Sequence, residues 1–152
     1  MRASGVELVA ELDDLAVMGF VEVMPRLPFF VKLERRLRRL MDQERPDLVV
    51  LVDFPGFNMR MARAAHDRGL RVLYYVAPKV WAWRTGRARE LGRIADRVAT
   101  VLPFEAELLG GLGGDARYVG HPLIDRTDPV TERGDFFEHW GLDPARPLLA
   151  LL

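Results

Sequence analysis

Cysteine is absent from this chain of 152 residues, which excludes a disulfide framework, a thiol nucleophile and a cysteine-based zinc site, and fits a reducing cytoplasm. Net charge is absent as well. The 22 Lys+Arg balance 22 Asp+Glu, so no global basic field argues for nucleic acid as a partner. Histidine is scarce: the three present lie far apart and lack metal-ligand spacing, so no metal is expected. No apolar run approaches the ~18 residues of a membrane-spanning helix, and the opening MRASGVELVAELDD has no core of signal-peptide length. What remains is one domain's worth of chain, long enough to bury a sizeable core and too short for two full α/β domains.

What is present alternates. PDLVVLVDFPG holds a continuous apolar run from Leu48 to Val52, with the length and β-branched content of a strand covered on both faces. Asn58 is placed to cap a helix running to about residue 68, and Gly69 stands where a helix commonly ends. Further strands are predicted at 71–76, 98–102 and 117–119, and further helices at 85–96, 105–109 and 135–140. Strand and helix alternating at this spacing imply right-handed crossovers and a parallel sheet, an α/β, Rossmann-like class with helices on both faces. MRASGVEL reads as the end of a helix and the start of a strand, and LLALL as a strand only begun at Leu148. The chain is therefore expected to be a piece of a longer protein, with residues 1–146 in one domain and 147–152 opening a second.

In a parallel sheet, ligands bind beyond the carboxyl ends of the strands. Asp53 ends one predicted strand, Lys79 and Arg84 follow the next, Glu105 the third and His121 the fourth. YYVAPKVWAWR sets Trp81 and Trp83 on the same rim, where they can wall a cleft while Lys79 or Arg84 meets an anion. Each residue also has a plain structural reading. Asp53 can cap the turn before Pro55 and Gly56, or serve as a base. The tryptophans can be packing residues, His121 can bond its own loop, and Glu105 suits the first turn of a helix. The run Gly110, Gly111, Leu112, Gly113, Gly114 lacks the lysine and long helix of a phosphate loop, and reads as a flexible connector.

The N-terminal third carries a second signal. Phe20, Val21, Val23, Met24, Leu27, Phe30 and Val31 crowd together just before Arg35, Arg36, Arg38 and Arg39. Apolar side chains beside a basic helix suit an interfacial contact with anionic lipid, and equally a helix packed on the sheet with a solvated basic face. Pro25 and Pro28 are expected to interrupt any long helix here.

Taken in order, LAVMGFVEV, PDLVVLVDFPGFN, YYVAPKVWAWR, LPFE and VGHPLID resemble the N-terminal domain of lipid-A-disaccharide synthases, inverting glycosyltransferases of the GT-B fold. The resemblance covers nearly the whole chain. It implies transfer of 2,3-diacylglucosamine from its UDP donor to 2,3-diacylglucosamine 1-phosphate (lipid X), without metal or other cofactor. Asp53 matches the aspartate regarded as the base, with Asn58, Lys79, Trp81, Trp83, Arg84, Glu105 and His121 as substrate contacts. Residues 1–146 would be a partial acceptor-side domain lacking its first strand and glycine-rich turn, and 147–152 the start of the nucleotide-binding domain. Such a piece is expected to be inactive alone. The segment from Phe20 to Val31 matches the family's proposed membrane-facing patch, which favours the interfacial reading, places the protein on the cytoplasmic face of the inner membrane, and allows a homodimer in the complete enzyme. The family signature usually carries serine where Ala77 and Lys79 stand, and Gly56 replaces an aspartate of some relatives. A contrasting reading is a non-catalytic α/β module that docks on anionic membrane through residues 20–39. A nucleotide-sugar epimerase or dehydrogenase is disfavoured, since no strand is followed by GxGxxG.

Overall fold

The computed structural model describes residues 5–10, 20–79, 85–124 and 131–149, and their side chains except at 20–26 and 85. The chain divides into two compact units, Met1–Val119 and Gly120–Leu152.

Among the described residues the elements of the first unit are, in order, α1 (Phe20–Glu44), β1 (Leu48–Val52), α2 (Pro55–His66), β2 (Arg71–Tyr75), α3 (Thr85–Ile94), β3 (Arg97–Thr100), α4 (Pro103–Gly111) and β4 (Ala116–Tyr118). The four strands are parallel and lie side by side in chain order, so the α/β class and the parallel sheet are as expected. Every crossover steps in the same direction. With one handedness, that order delivers each connecting helix to the same side of the sheet. Accordingly α2 packs on β1 and β2, α4 on β3 and β4, and the helices touch in sequence from α1 to α4.

Side-chain burial follows this arrangement. Leu51, Val72, Tyr74, Val98 and Thr100 are buried on the helix-covered face, together with Met61, Ala62 and Ala65 of α2, Ala88, Leu91 and Ile94 of α3, and Leu109 of α4. Each fully buried Leu or Ile contributes on the order of 1.5–3 kcal/mol. On the opposite face Leu48, Val50 and Val52 are 48%, 52% and 52% exposed. The run expected to be covered on both sides is covered on one among the described residues, and β1 also stands at the sheet's edge.

Prolines do not interrupt α1, which runs unbroken for 25 residues through Pro25 and Pro28. Proline's fixed φ is helical, although each ring removes the bond to the carbonyl four residues earlier and crowds that carbonyl, at a cost the rest of the helix offsets. Both fall in the amino-terminal half of the helix. The remainder is anchored by Phe30 and Met41 in the core and by ion pairs to α2: Glu34 with Arg60 at 3.2 Å, and Asp42 with Arg68 just beyond it at 2.8 Å. The Arg68 hydrogen bond holds the Asp42 carboxyl below the usual carboxylate range.

Between α3 and the segment after α4, two backbones meet. A Cβ on Gly92 would lie 2.8 Å from both Cα and N of Gly114, so the glycine run read as a connector is also a packing surface. In the second unit, α5 (Arg133–His139) buries Phe137 beneath the Arg133 guanidinium, 4.6 Å from the ring centre. Leu148 and Leu149, expected to begin a strand, are exposed and unpaired in any strand; residues 150–152 lie outside the described residues.

Candidate functional site

The carboxyl ends of β1 and β2 form one rim, because Val52 is in register with Tyr75 and the Asp53 N–H donates to the Tyr75 carbonyl at 2.9 Å. Asp53 is exposed there. Among the described residues its carboxylate makes no hydrogen bond or ion pair, and α2 starts without a side-chain cap. The turn-capping reading of Asp53 is thus not what the structure adopts. A solvent-facing carboxylate at the mouth of a parallel sheet can accept a proton from a hydroxyl.

The backbone here is unusual. Asp53 has φ 46° and Phe54 φ 45°, both left-handed, and across the rim Val76 has φ 62°. For a β-branched residue such a φ is a genuine outlier, and residues held in sparsely populated regions cost about 1–3 kcal/mol each. Three of them at adjoining strand ends mark this rim as over-determined by its surroundings.

Two side chains supply that determination. Tyr74, fully buried on the helix-covered face, donates its hydroxyl to the Asp53 carbonyl at 2.8 Å. Asn58 donates from Nδ2 to the same carbonyl at 2.8 Å and to the Val52 carbonyl at 2.9 Å. Asn58 was expected to cap a helix; instead it is inside α2, and both of its amide hydrogens are committed to the strand end. Burial, and then the Asp53 charge, push the Tyr74 phenol well above its ordinary value, so it stays a donor throughout the neutral range.

Phe54 extends the corner outward. Its ring stands 5.9 Å from Phe30 and 6.2 Å from Phe57, and Phe29 adds an edge-on contact to Phe30 at 5.6 Å. Phe54 remains 43% exposed, beside Leu27 at 48% and Val31 at 38% on α1. Of the residues expected to face a membrane, Leu27 and Val31 are thus exposed, whereas Phe30, at 6%, is corrected to a core residue by its aromatic neighbours. The side chains of Phe20, Val21, Val23 and Met24 lie outside the described residues.

The other expected contacts divide. Lys79 is exposed in the segment after β2. Trp81, Trp83 and Arg84 lie outside the described residues. Glu105 is 1% exposed, and its carboxylate accepts the Leu102 N–H at 3.3 Å. That is the helix-start role, filled by a buried carboxylate. His121, in the second unit, accepts the Leu123 N–H on Nδ1 at 3.2 Å, the local-loop reading. Sequence reasoning missed Tyr74. Its signal was the alternation within RVLYY, which sends one of two adjacent tyrosines into the core, where its hydroxyl requires a partner.

A hollow of about 520 Å³, lined by Leu48, Arg71, Leu73, Asp96 and Arg97 among others, sits at the amino ends of the strands, opposite the Asp53 rim. Among the described residues no group of three or more His, Asp or Glu is placed to hold a metal ion, and no helix is long and apolar enough to cross a membrane.

A family model described as lipid-A-disaccharide synthetase matches residues 1–152. The lipid-A-disaccharide synthase of Geobacter metallireducens is 44% identical over 151 residues, 99% of this chain and 39% of the relative. That of Syntrophotalea carbinolica is 45% identical over 152 residues, 99% of this chain and 39% of the relative. That of Anaeromyxobacter dehalogenans is 41% identical over 152 residues, 100% and 39% respectively. The chain therefore spans about two fifths of the length of these curated relatives.

Proposed function

Since the chain belongs to the lipid-A-disaccharide synthetase family, we propose that it works as the acceptor-side part of an inverting glycosyltransferase. The complete enzyme transfers 2,3-diacylglucosamine from UDP-2,3-diacylglucosamine to the 6-hydroxyl of 2,3-diacylglucosamine 1-phosphate and releases UDP. The observation that carries this reading is the exposed Asp53 carboxylate, held at the carboxyl end of β1.

In the reaction, the acceptor hydroxyl loses its proton to Asp53 as its oxygen attacks the anomeric carbon, and the bond to UDP breaks on the opposite side. A base within hydrogen-bond reach contributes typically about 10²–10⁴-fold. Lys79, exposed in the segment after β2, is suited to a phosphate on either substrate, and the family resemblance assigns Trp81, Trp83 and Arg84 to the same substrates. In this reading the donors that stabilise the leaving UDP come from a second, nucleotide-binding domain of the complete enzyme, and the isolated piece is inactive. The test is product formation from the two substrates by a complete synthase carrying this sequence, read by mass spectrometry. Absence of disaccharide from folded protein would remove the reading.

The apolar surface around Asp53 supports a location at the cytoplasmic face of the inner membrane, where acylated substrates reside. Leu27, Val31 and Phe54 expose apolar area, and Arg35, Arg36 and Arg39 follow on exposed positions of α1, the pairing that interfacial contact with anionic lipid requires. Replacing Leu27 and Val31 together by glutamate is expected to reduce co-sedimentation with anionic phospholipid vesicles several-fold at unchanged melting temperature. Undiminished sedimentation would place the contact elsewhere.

A further inference from the structure

We propose that Tyr74 is a positioning residue for Asp53, its buried hydroxyl clamping the Asp53 carbonyl and so fixing the left-handed corner from which the carboxylate reaches the rim. The inference rests on the reading of Asp53 as the base, and it concerns what holds that base in place.

Residues 53 and 54 both occupy a conformation that L-amino acids with ordinary side chains avoid. A chain left to itself would relax toward the extended or right-handed region, rotating the peptide that joins them and swinging the Asp53 side chain with it. Relaxation would carry the Asp53 carbonyl away from its two donors. Tyr74 cannot follow, because its ring is fully buried and set by the register of Tyr74 with Leu51 and Val98. It would be left as an unpaired hydroxyl in the core, which folded proteins strongly avoid. Asn58 makes the same demand from α2, with one amide hydrogen on Asp53 and the other on Val52. The two donors occupy both acceptor positions of a single carbonyl, one from the neighbouring strand and one from the following helix. Strand, helix and corner thus share one point of attachment, directly behind the reactive group.

The experiment uses a complete synthase carrying this sequence and the variant Tyr74→Phe, which keeps the ring and removes only the oxygen. A small displacement of a catalytic group costs up to about 100-fold in rate, so kcat is expected to fall roughly 10- to 100-fold while KM for both substrates changes less than about twofold, measured well below the melting temperature. Asn58→Ala is expected to show the same split. Because loss of a buried hydroxyl also lowers thermal stability, melting curves accompany the kinetics; a lowered melting temperature with unaltered kcat would reduce Tyr74 to a structural residue and overturn the proposal. A rise in KM matching any fall in kcat would overturn it too. An inactive Asp53→Asn beside a fully active Tyr74→Phe removes this inference alone, whereas an active Asp53→Asn removes both it and the base reading.

Discussion

Asp53→Asn is expected to lower disaccharide formation by a complete synthase carrying this sequence by roughly 10²–10⁴-fold, the range a positioned base supplies, with vesicle binding and melting temperature unchanged. Asparagine is the appropriate replacement for a physical reason particular to this site. Residue 53 has φ 46°, and Asn enters the left-handed region more readily than most residues. The substitution therefore removes the proton acceptor while leaving the backbone corner and its carbonyl in place for Tyr74 and Asn58. Alanine would combine loss of the carboxylate with strain, and a slow Ala variant would say little. Initial rates at saturating donor give the answer; turnover equal to the parent takes Asp53 out of the mechanism.

The largest stability effect expected of a one-carbon change is at Gly92. In a helix, Gly→Ala is ordinarily favourable by about 1 kcal/mol, and α3 would gain that much. Here the added carbon meets the Gly114 backbone at 2.8 Å, and backbone cannot rotate aside as a side chain can. Overpacking typically costs about 1–3 kcal/mol, and a backbone-on-backbone clash belongs to the upper part of that range, so after the propensity gain Gly92→Ala is expected to be net destabilising by up to about 2 kcal/mol. At about 2–4 °C per kcal/mol for a chain of this size, thermal denaturation resolves it. Gly110→Ala is the control: nothing lies within 4 Å of its added carbon, and its melting temperature is expected to hold or rise slightly.

Legibility in the sequence followed the range of the forces involved. The strand at Leu48–Val52 was readable residue for residue, and Arg71–Tyr75 and Arg97–Thr100 within one or two, because apolar runs between turn residues are local signals. What covers a strand is not local, so the outer face of β1, bare among the described residues, could not be read from Val50 and Val52. The continuity of α1 through Pro25 and Pro28 also depended on tertiary anchoring downstream. At the site, Asp53 was readable as a polar residue ending a strand. Asn58 was misassigned because an N-cap and a side chain donating back to carbonyls carry the same letter in nearly the same place. Glu105 and Phe30 show the reverse problem: each was of a type suited to a surface task, and each was drawn inside by partners, Leu102 in one case and Phe54 with Phe57 in the other.

Among the described residues the sheet is covered on one side, and this has a practical outcome. Leu48, Val50 and Val52 present a flat, oily strip next to a strand margin whose amide groups have no protein partner among the described residues. Two such margins meeting in solution can zip together, a process second order in protein. Purification of this polypeptide by itself is thus governed by how dilute it is kept, and a mild detergent or a short lysine-bearing substitution along β1 is the remedy its geometry indicates.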